Sequence, residues 1–250
     1  MLFYSGDLHG SIDIIRFHPD TWPTGQLLTR DDYLVILGDF GLDINFNQDE
    51  KPKWFLWLDK QPWTTLFVDG NHDDFEWLSK LPIEDKFNGK VGRASENIFH
   101  LRRGEVYNIG WSTFFVMGGA HSIDKQLRTF GIDWWPQEIP SYSEWNYAID
   151  NLEKVNYTVD NVLAHTMPSD IAKIYLSQNR TSWGTSLREK DSEVEKAFQE
   201  VILQGLLKFN NWYCGHWHPY QKWDYEKYHC YYNHIEPIHI CPQDIYHGYE

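Results

Sequence analysis

Three times in its first third, the chain runs from a short apolar segment into a glycine-marked loop and then into a stretch with helical spacing. "MLFYS" leads into "GDLHGS" and the amphipathic "IDIIRF". "YLVIL" leads into "GDFG" and then "KWFLWLDKQ". "TTLFV" leads into "DGNHDD" and "FEWLSKL". Strand, loop and helix in that recurring order predict βαβ units, whose crossovers make the strands parallel. In such a sheet ligands gather at the carboxyl ends of the strands. Asp7, His9, Asp39, Asn71 and His72 fall at those ends.

The rest of the chain is organised differently. "IFHLRRGEVYNIGWSTFFVMGGAHSIDK" reads as consecutive strands separated by glycine turns, expected to pair as antiparallel hairpins. "SYSEWNYAIDNLEKVN" predicts a helix capped by Ser143. "NVLAHTMP" is a further strand, with His165 at its end and Pro168 stopping its continuation. "EKDSEVEKAFQEVILQGLLKF" has the spacing of a long amphipathic helix, and "NWYCGHWHP" follows it. The tail "KYHCYYNHIEPIHI" alternates as strands do. Residues two apart in a strand share a face, so His216 and His218 leave one strand end on the same side. Neither a linker nor a repeat interrupts the pattern, which predicts one domain over residues 1–250.

Composition bounds the function. Hydrophobic residues at 42% and aromatics at 17% describe a globular chain, and the 13 Trp, spread along it, read as packing. A formal charge of −14 counts against a non-specific grip on long nucleic acid, where Lys and Arg must neutralise phosphates. It leaves a small nucleotide open, because bound metal supplies positive charge locally. Cys214, Cys230 and Cys241 lack CxxC spacing and form neither a disulfide framework nor a zinc knuckle; Cys214 reads as a small buried hydrophobe. The opening residues read as a strand without a basic or apolar leader, and no apolar run is long enough to cross a bilayer. The expectation is a soluble cytoplasmic protein with no membrane partner.

Carboxylate, imidazole and amide oxygen together suit divalent transition metals, and the absence of thiolate speaks against a closed structural zinc site. Any one element is weak alone: "GD" is usually a turn, "GNH" usually a loop, and a lone histidine usually a satisfied core residue. The ordered set GD-x-H, GD, GNH, H, GH-x-H is specific, because each element sits at its own strand end.

That ordered set, from Asp7 to His218, resembles the signature of the calcineurin-like metallophosphoesterase superfamily. The resemblance implies an α/β fold: a four-layer αββα sandwich of two mixed sheets flanked by helices, with a dinuclear metal site at the strand C-terminal edge. It implies that Asp7, His9 and His218 hold one metal, that Asn71, His165 and His216 hold the other, and that Asp39 bridges both. His72 would serve the substrate and bind no metal. Mn is the first expectation, with Fe, Zn, Ni or Co also compatible. The implied activity is hydrolysis of a phosphomonoester or phosphodiester by direct attack of a metal-bridging hydroxide. His72 would assist as general acid or charge stabiliser, and the substrate would be a small phosphate ester or nucleotide. "GGAHSIDKQLR" and "GIDWWPQEIP" are similar to stretches of uncharacterised bacterial and phage members. The chemistry is consistent: two cations about 3.5–4 Å apart activate water and clamp phosphoryl oxygens, and a short carboxylate keeps them together.

The chain departs from the Ser/Thr protein phosphatases of that superfamily. Those carry "GDxxDRG" and "GNHE", against "GDFGLDI" and "GNHDD" here, so an arginine that would bind phosphate is missing. Asp43 and Asp73 stand at the corresponding places, and Asp73 is expected to cap the next helix. Protein-phosphatase-like activity, a catalytically silent binding module on the same fold, and a structural zinc protein are the alternatives. Positive charge for a phosphate is sought in "LRRG" and "HSIDKQLR". Arg102 and Arg103 read first as a solvated hairpin, and His121, Lys125 and Arg128 as candidate substrate contacts on an overhanging loop. Trp134 and Trp135 in "DWWP" read as packing or as a cover for a base. The remaining histidines, His239 and His247 among them, read as structural or surface residues.

Overall fold

The computed structural model describes residues 1–41, 51–179 and 192–238; Asp43, Cys241, His239, His247 and the expected helix start at 189–191 lie outside them. Strands here are apolar on both faces, which only a sheet covered on both sides accommodates. β1 (Leu2–Ser5), β2 (Tyr33–Leu37) and β3 (Thr64–Val68) are buried almost throughout and pair in parallel, as the repeated strand–loop–helix pattern requires. β4 (Ile83–Lys86), β5 (Gly89–Arg93), β6 (Ile98–Leu101) and β13 (Ile235–Pro237) complete a seven-stranded sheet of order β13-β1-β2-β3-β6-β5-β4. A six-stranded sheet follows the order β11-β12-β10-β9-β8-β7, from β7 (Val106–Ile109), β8 (Ser112–Met117), β9 (Asn161–Ala164), β10 (Asn211–Cys214), β11 (Trp223–Tyr225) and β12 (Tyr228–Cys230). Both sheets mix parallel and antiparallel pairs.

Side-chain alternation sorts the core into layers. Leu2, Tyr4, Val35 and Leu37 from one sheet meet Phe114, Val116, Leu163 and Tyr213 from the other in a shared apolar cluster. The intervening residues Phe3, Leu34 and Ile36 face outward onto α1 (Lys53–Asp59) and α2 (Phe75–Lys80) through Phe55, Leu58 and Leu78. On the far side Phe115, Val162 and Trp212 pack on α3 (Tyr142–Lys154), α4 (Ser169–Gln178) and α5 (Glu193–Leu203). The result is the four-layer αββα sandwich. Burying Phe115, Phe198 and Trp212 alone stabilises the outer layer by about 2–3 kcal/mol per side chain.

Several sequence expectations are corrected. The middle segment does not pair as consecutive hairpins. β6 lies parallel to β3 and antiparallel to β5 in the first sheet, and β7 opens the second sheet as a hairpin with β8. Ser141, not Ser143, caps α3, because Glu144 stands at the position that closes a reciprocal capping box. Asp74, not Asp73, caps α2, accepting from the backbone of Glu76 and Trp77. Arg103 is no solvated hairpin residue but is buried on Asp69, and Trp135 is buried as packing.

Candidate metal centre

Five parallel strands end at one place. β1 delivers Asp7 and His9, β2 Asp39, β3 Asn71 and His72, β9 His165, and β10 His216 and His218. The loops there have little room. A Cβ on Gly38, whose φ is +99°, would collide with the His165 ring, and one on Gly215 would collide with the Asp7 carboxylate. His9, Asp39, His216 and His218 all adopt left-handed backbone, a conformation costing roughly 1–3 kcal/mol per residue outside glycine and characteristic of sites that surrounding structure holds in place.

All seven residues read as ligands are brought together. Asp7, His9 and His218 form one group of converging donor atoms, and Asp7, Asp39 and His165 another. His218 Nε2 lies 2.6 Å from Asp7 Oδ2, and the His216 backbone donates to Asp7 Oδ1 at 2.8 Å. Asp39 faces both sides, with Oδ2 3.7 Å from His9 Nε2 and Oδ1 3.4 Å from His165 Nε2. The His216 ring meets the His165 ring edge to face at 5.0 Å.

Hydrogen bonds behind these residues aim them inward. His165 donates Nδ1–H to the Leu37 carbonyl at 2.7 Å, and His9 donates Nδ1–H to Asp13 at 2.8 Å, which leaves each Nε2 lone pair for a ligand. Asn71 donates through Nδ2 to Ser122 Oγ, which donates in turn to the buried Glu138 at 2.5 Å. That fixes the amide so that Asn71 Oδ1 turns to His165 Nε2, 3.1 Å away. Tyr232 stacks on the His218 ring at 4.1 Å and donates its hydroxyl to Asp13. Arg16, itself buried, ties the β1 loop by donating to the Gly6 and Asp7 carbonyls.

The centre concentrates negative charge. Burial opposes ionisation of Asp7 and Asp39, but the neighbouring histidines outweigh it and hold both carboxyls well below the usual range. Burial likewise lowers His165, yet the charges of Asp39 and Asp7 push it up to about 10, so without metal the field of the two carboxylates holds a proton on the ring where a bound cation would take its place. Asp73 sits behind, accepting from the Gly70 and Gly41 backbone; burial and the Asp39 charge push it up to about 7. The metals implied by the sequence fit this donor set. Carboxylate oxygens, an amide oxygen and imidazole lone pairs converge with no thiolate among them.

His72 takes no place among the convergent donors. Its backbone donates to Asp39 Oδ1 at 2.8 Å, and its Nε2 faces the Asn71 amide at 3.0 Å and Arg128 Nη2 at 3.3 Å. Both partners are donors, so the proton of a neutral ring sits on Nδ1, a buried atom with no partner. Of the three residues read as substrate contacts, Arg128 is thus brought to the centre. Lys125 lies over the Trp134 ring at 4.1 Å, and His121 faces Glu138 at 3.9 Å. Asp13, Ser122, Glu138 and Tyr232 went unread in the sequence; only the four-residue spacing of His9 and Asp13 hinted at a contact.

No family model matches the chain. It is 26% identical over 168 residues to the lariat debranching enzyme of Schizosaccharomyces pombe, a match covering 64% of this chain and 34% of that protein. The chain therefore spans about a third of the length of this curated relative. The crystal structure of phosphopantetheinyl hydrolase from Mycobacterium tuberculosis aligns over 97% of this chain and 96% of that one, at 15% identity and a TM-score of 0.49. Among the described residues no helix is long and apolar enough to cross a membrane.

Proposed function

We propose that the chain is a metal-dependent phosphoesterase of the calcineurin-like metallophosphoesterase superfamily, acting on a small phosphate ester or nucleotide. The observation that carries this reading is the position of Asp39, a fully enclosed carboxylate within 3.7 Å of imidazole nitrogens on both sides. Asp7, His9 and His218 would hold one divalent ion, and Asn71, His165 and His216 a second, with Asp39 between them. Mn²⁺ is the first candidate. When bound, such ions lower the pKa of water and withdraw charge from phosphoryl oxygens. The similarity to a lariat debranching enzyme supports the reading, and the complete donor set speaks against a silent module.

The protein's own groups then have defined tasks. Asn71 and Ser122 orient, while Asp13 and Tyr232 keep His9 and His218 in register. Arg128 supplies beside His72 a guanidinium that the second motif lacks. Burial and Arg128 lower the His72 pKa while Asp39 opposes them. An anionic phosphate beside the ring would raise it, readying the ring to protonate a leaving oxygen.

Activity on an aryl phosphate is expected to vanish with chelator and to return with Mn²⁺. Metal-loaded protein inert towards a broad panel of mono- and diesters defeats the proposal. His72→Ala is expected to retain metal and to slow turnover about 10²-fold, most on esters with poor leaving groups. Loss of metal from that variant, measured by elemental analysis, would remove His72 from its assigned role.

A further inference from the structure

A groove of about 830 Å³ is lined by residues that neighbour those of the metal centre in the chain and include none of them. Its base is the buried Asp69–Arg103 ion pair, and its apolar wall comes from Phe75, Phe130, Trp135 and Tyr147. Two stretches of chain connect it to the centre. Asp69 precedes Asn71 by two residues, and Phe130 follows Arg128 by two, each at most about 7 Å of backbone. The segment that brings Arg128 to His72 therefore also lines the groove with Phe130.

The charges lining the groove are nearly all matched. Arg103 pairs with Asp69 at 2.6 Å and Glu144 at 3.4 Å, Glu76 with Lys80, and Lys90 with Asp85. Arg102 differs: among the described residues no carboxylate lies within 4.0 Å of its guanidinium, while its backbone N–H is fixed by donation to Tyr107 Oη at 2.8 Å. Phe130 is 68% exposed, and beside it a Cβ on Gly131 would meet nothing within 4 Å. Tyr147 is held by donation to Glu105 at 2.6 Å, so its ring is presented without further ordering. Open aromatic rings beside an unmatched guanidinium suit a flat aromatic group that carries an anion.

We infer that the groove seats the organic part of the substrate: a nucleobase against Phe130 and Tyr147, with a second phosphate on Arg102, while the reacting phosphate lies at the metal centre. The inference rests on the phosphoesterase reading and narrows it to nucleotides bearing two phosphoryl groups.

Two arms test it on the full chain. In the first, a non-hydrolysable nucleoside 3′,5′-bisphosphonate is titrated calorimetrically into the Mn²⁺-loaded protein. The wild type is expected to bind, with Arg102→Gln and Phe130→Ala each weakening binding about tenfold. In the second, the Mn²⁺-loaded proteins turn over the bisphosphate and p-nitrophenyl phosphate. The loss of kcat/KM in each variant is expected to be about tenfold larger on the bisphosphate. Absence of binding by the wild type, or equal losses on both esters, overturns the groove assignment. If no ester is turned over yet Arg102-dependent binding persists, the phosphoesterase reading fails and the groove stands as a nucleotide site.

Discussion

Asp39→Asn is expected to lose metal and turnover together, with kcat/KM falling by about 10³-fold or more. Asparagine has nearly the same shape as aspartate, so the buried position stays filled; only the charge and one acceptor atom go. Asp39 Oδ1 accepts from the His72 backbone and faces His165, while Oδ2 faces His9. Asp7 also lies between the two groups, 2.6 Å from His218 Nε2, but it approaches His165 only at Nδ1, 4.0 Å away, the nitrogen that already donates to Leu37. The Asp39 charge is what would hold two mutually repelling cations side by side, and several kcal/mol of charge stabilisation in the transition state depend on them. Elemental analysis of the purified variant and its rate on an aryl phosphate check the result. A variant that keeps two equivalents of metal and near-normal turnover removes Asp39 as the bridge.

What the sequence disclosed about this centre was what local pattern encodes. Each of β1, β2, β3, β9 and β10 is an apolar run whose end is marked by its own candidate ligand, so the seven residues stand out from local pattern alone. The supporting residues are different. Ser122 and Glu138 reach Asn71 across 51 and 67 positions of sequence, and Tyr232 reaches His218 by stacking. No local periodicity announces such contacts, because tertiary folding alone creates them.

Other misreadings had local answers. Ser141 and Glu144 spell the capping box outright, whereas Ser143 sits two positions later, already inside the first turn. Of the two adjacent aspartates, Asp73 is drawn under the loops to accept from Gly41 and Gly70, which leaves Asp74 at the helix start. The β4–β5 hairpin escaped notice because "IEDK" is a polar edge strand and "GKVGR" beside it is polar and glycine-rich. Its turn residues Phe87 and Asn88 both have positive φ, so the asparagine before Gly89 was the signal. β6 and β7 were joined into one meander because pairing across sheets is invisible to a period-two pattern.

Arg103→Met is expected to destabilise the fold by about 3–5 kcal/mol, because among the described residues it leaves the buried Asp69 carboxylate only His100 as a side-chain partner. Methionine fills much of the arginine volume and can still lie against Phe75, so the effect isolates the lost charge and hydrogen bonds. Acid gives the sign. Burial pushes the Asp69 carboxyl up, but the Arg103 charge, with hydrogen bonds from His100 and Arg103, overcomes it and holds the group down to about 2. Against an ordinary value near 3.9, that depressed pKa contributes roughly 2–3 kcal/mol, fully present above about pH 4 and fading as pH falls toward 2. In Arg103→Met burial dominates, Asp69 moves above its ordinary value, and protonation relieves the variant where it weakens the wild type. The stability gap, read from urea midpoints, therefore shrinks between pH 7 and pH 3. A gap below about 1 kcal/mol at pH 7, or one that widens in acid, would mean that Asp69 does not depend on Arg103 for its charge.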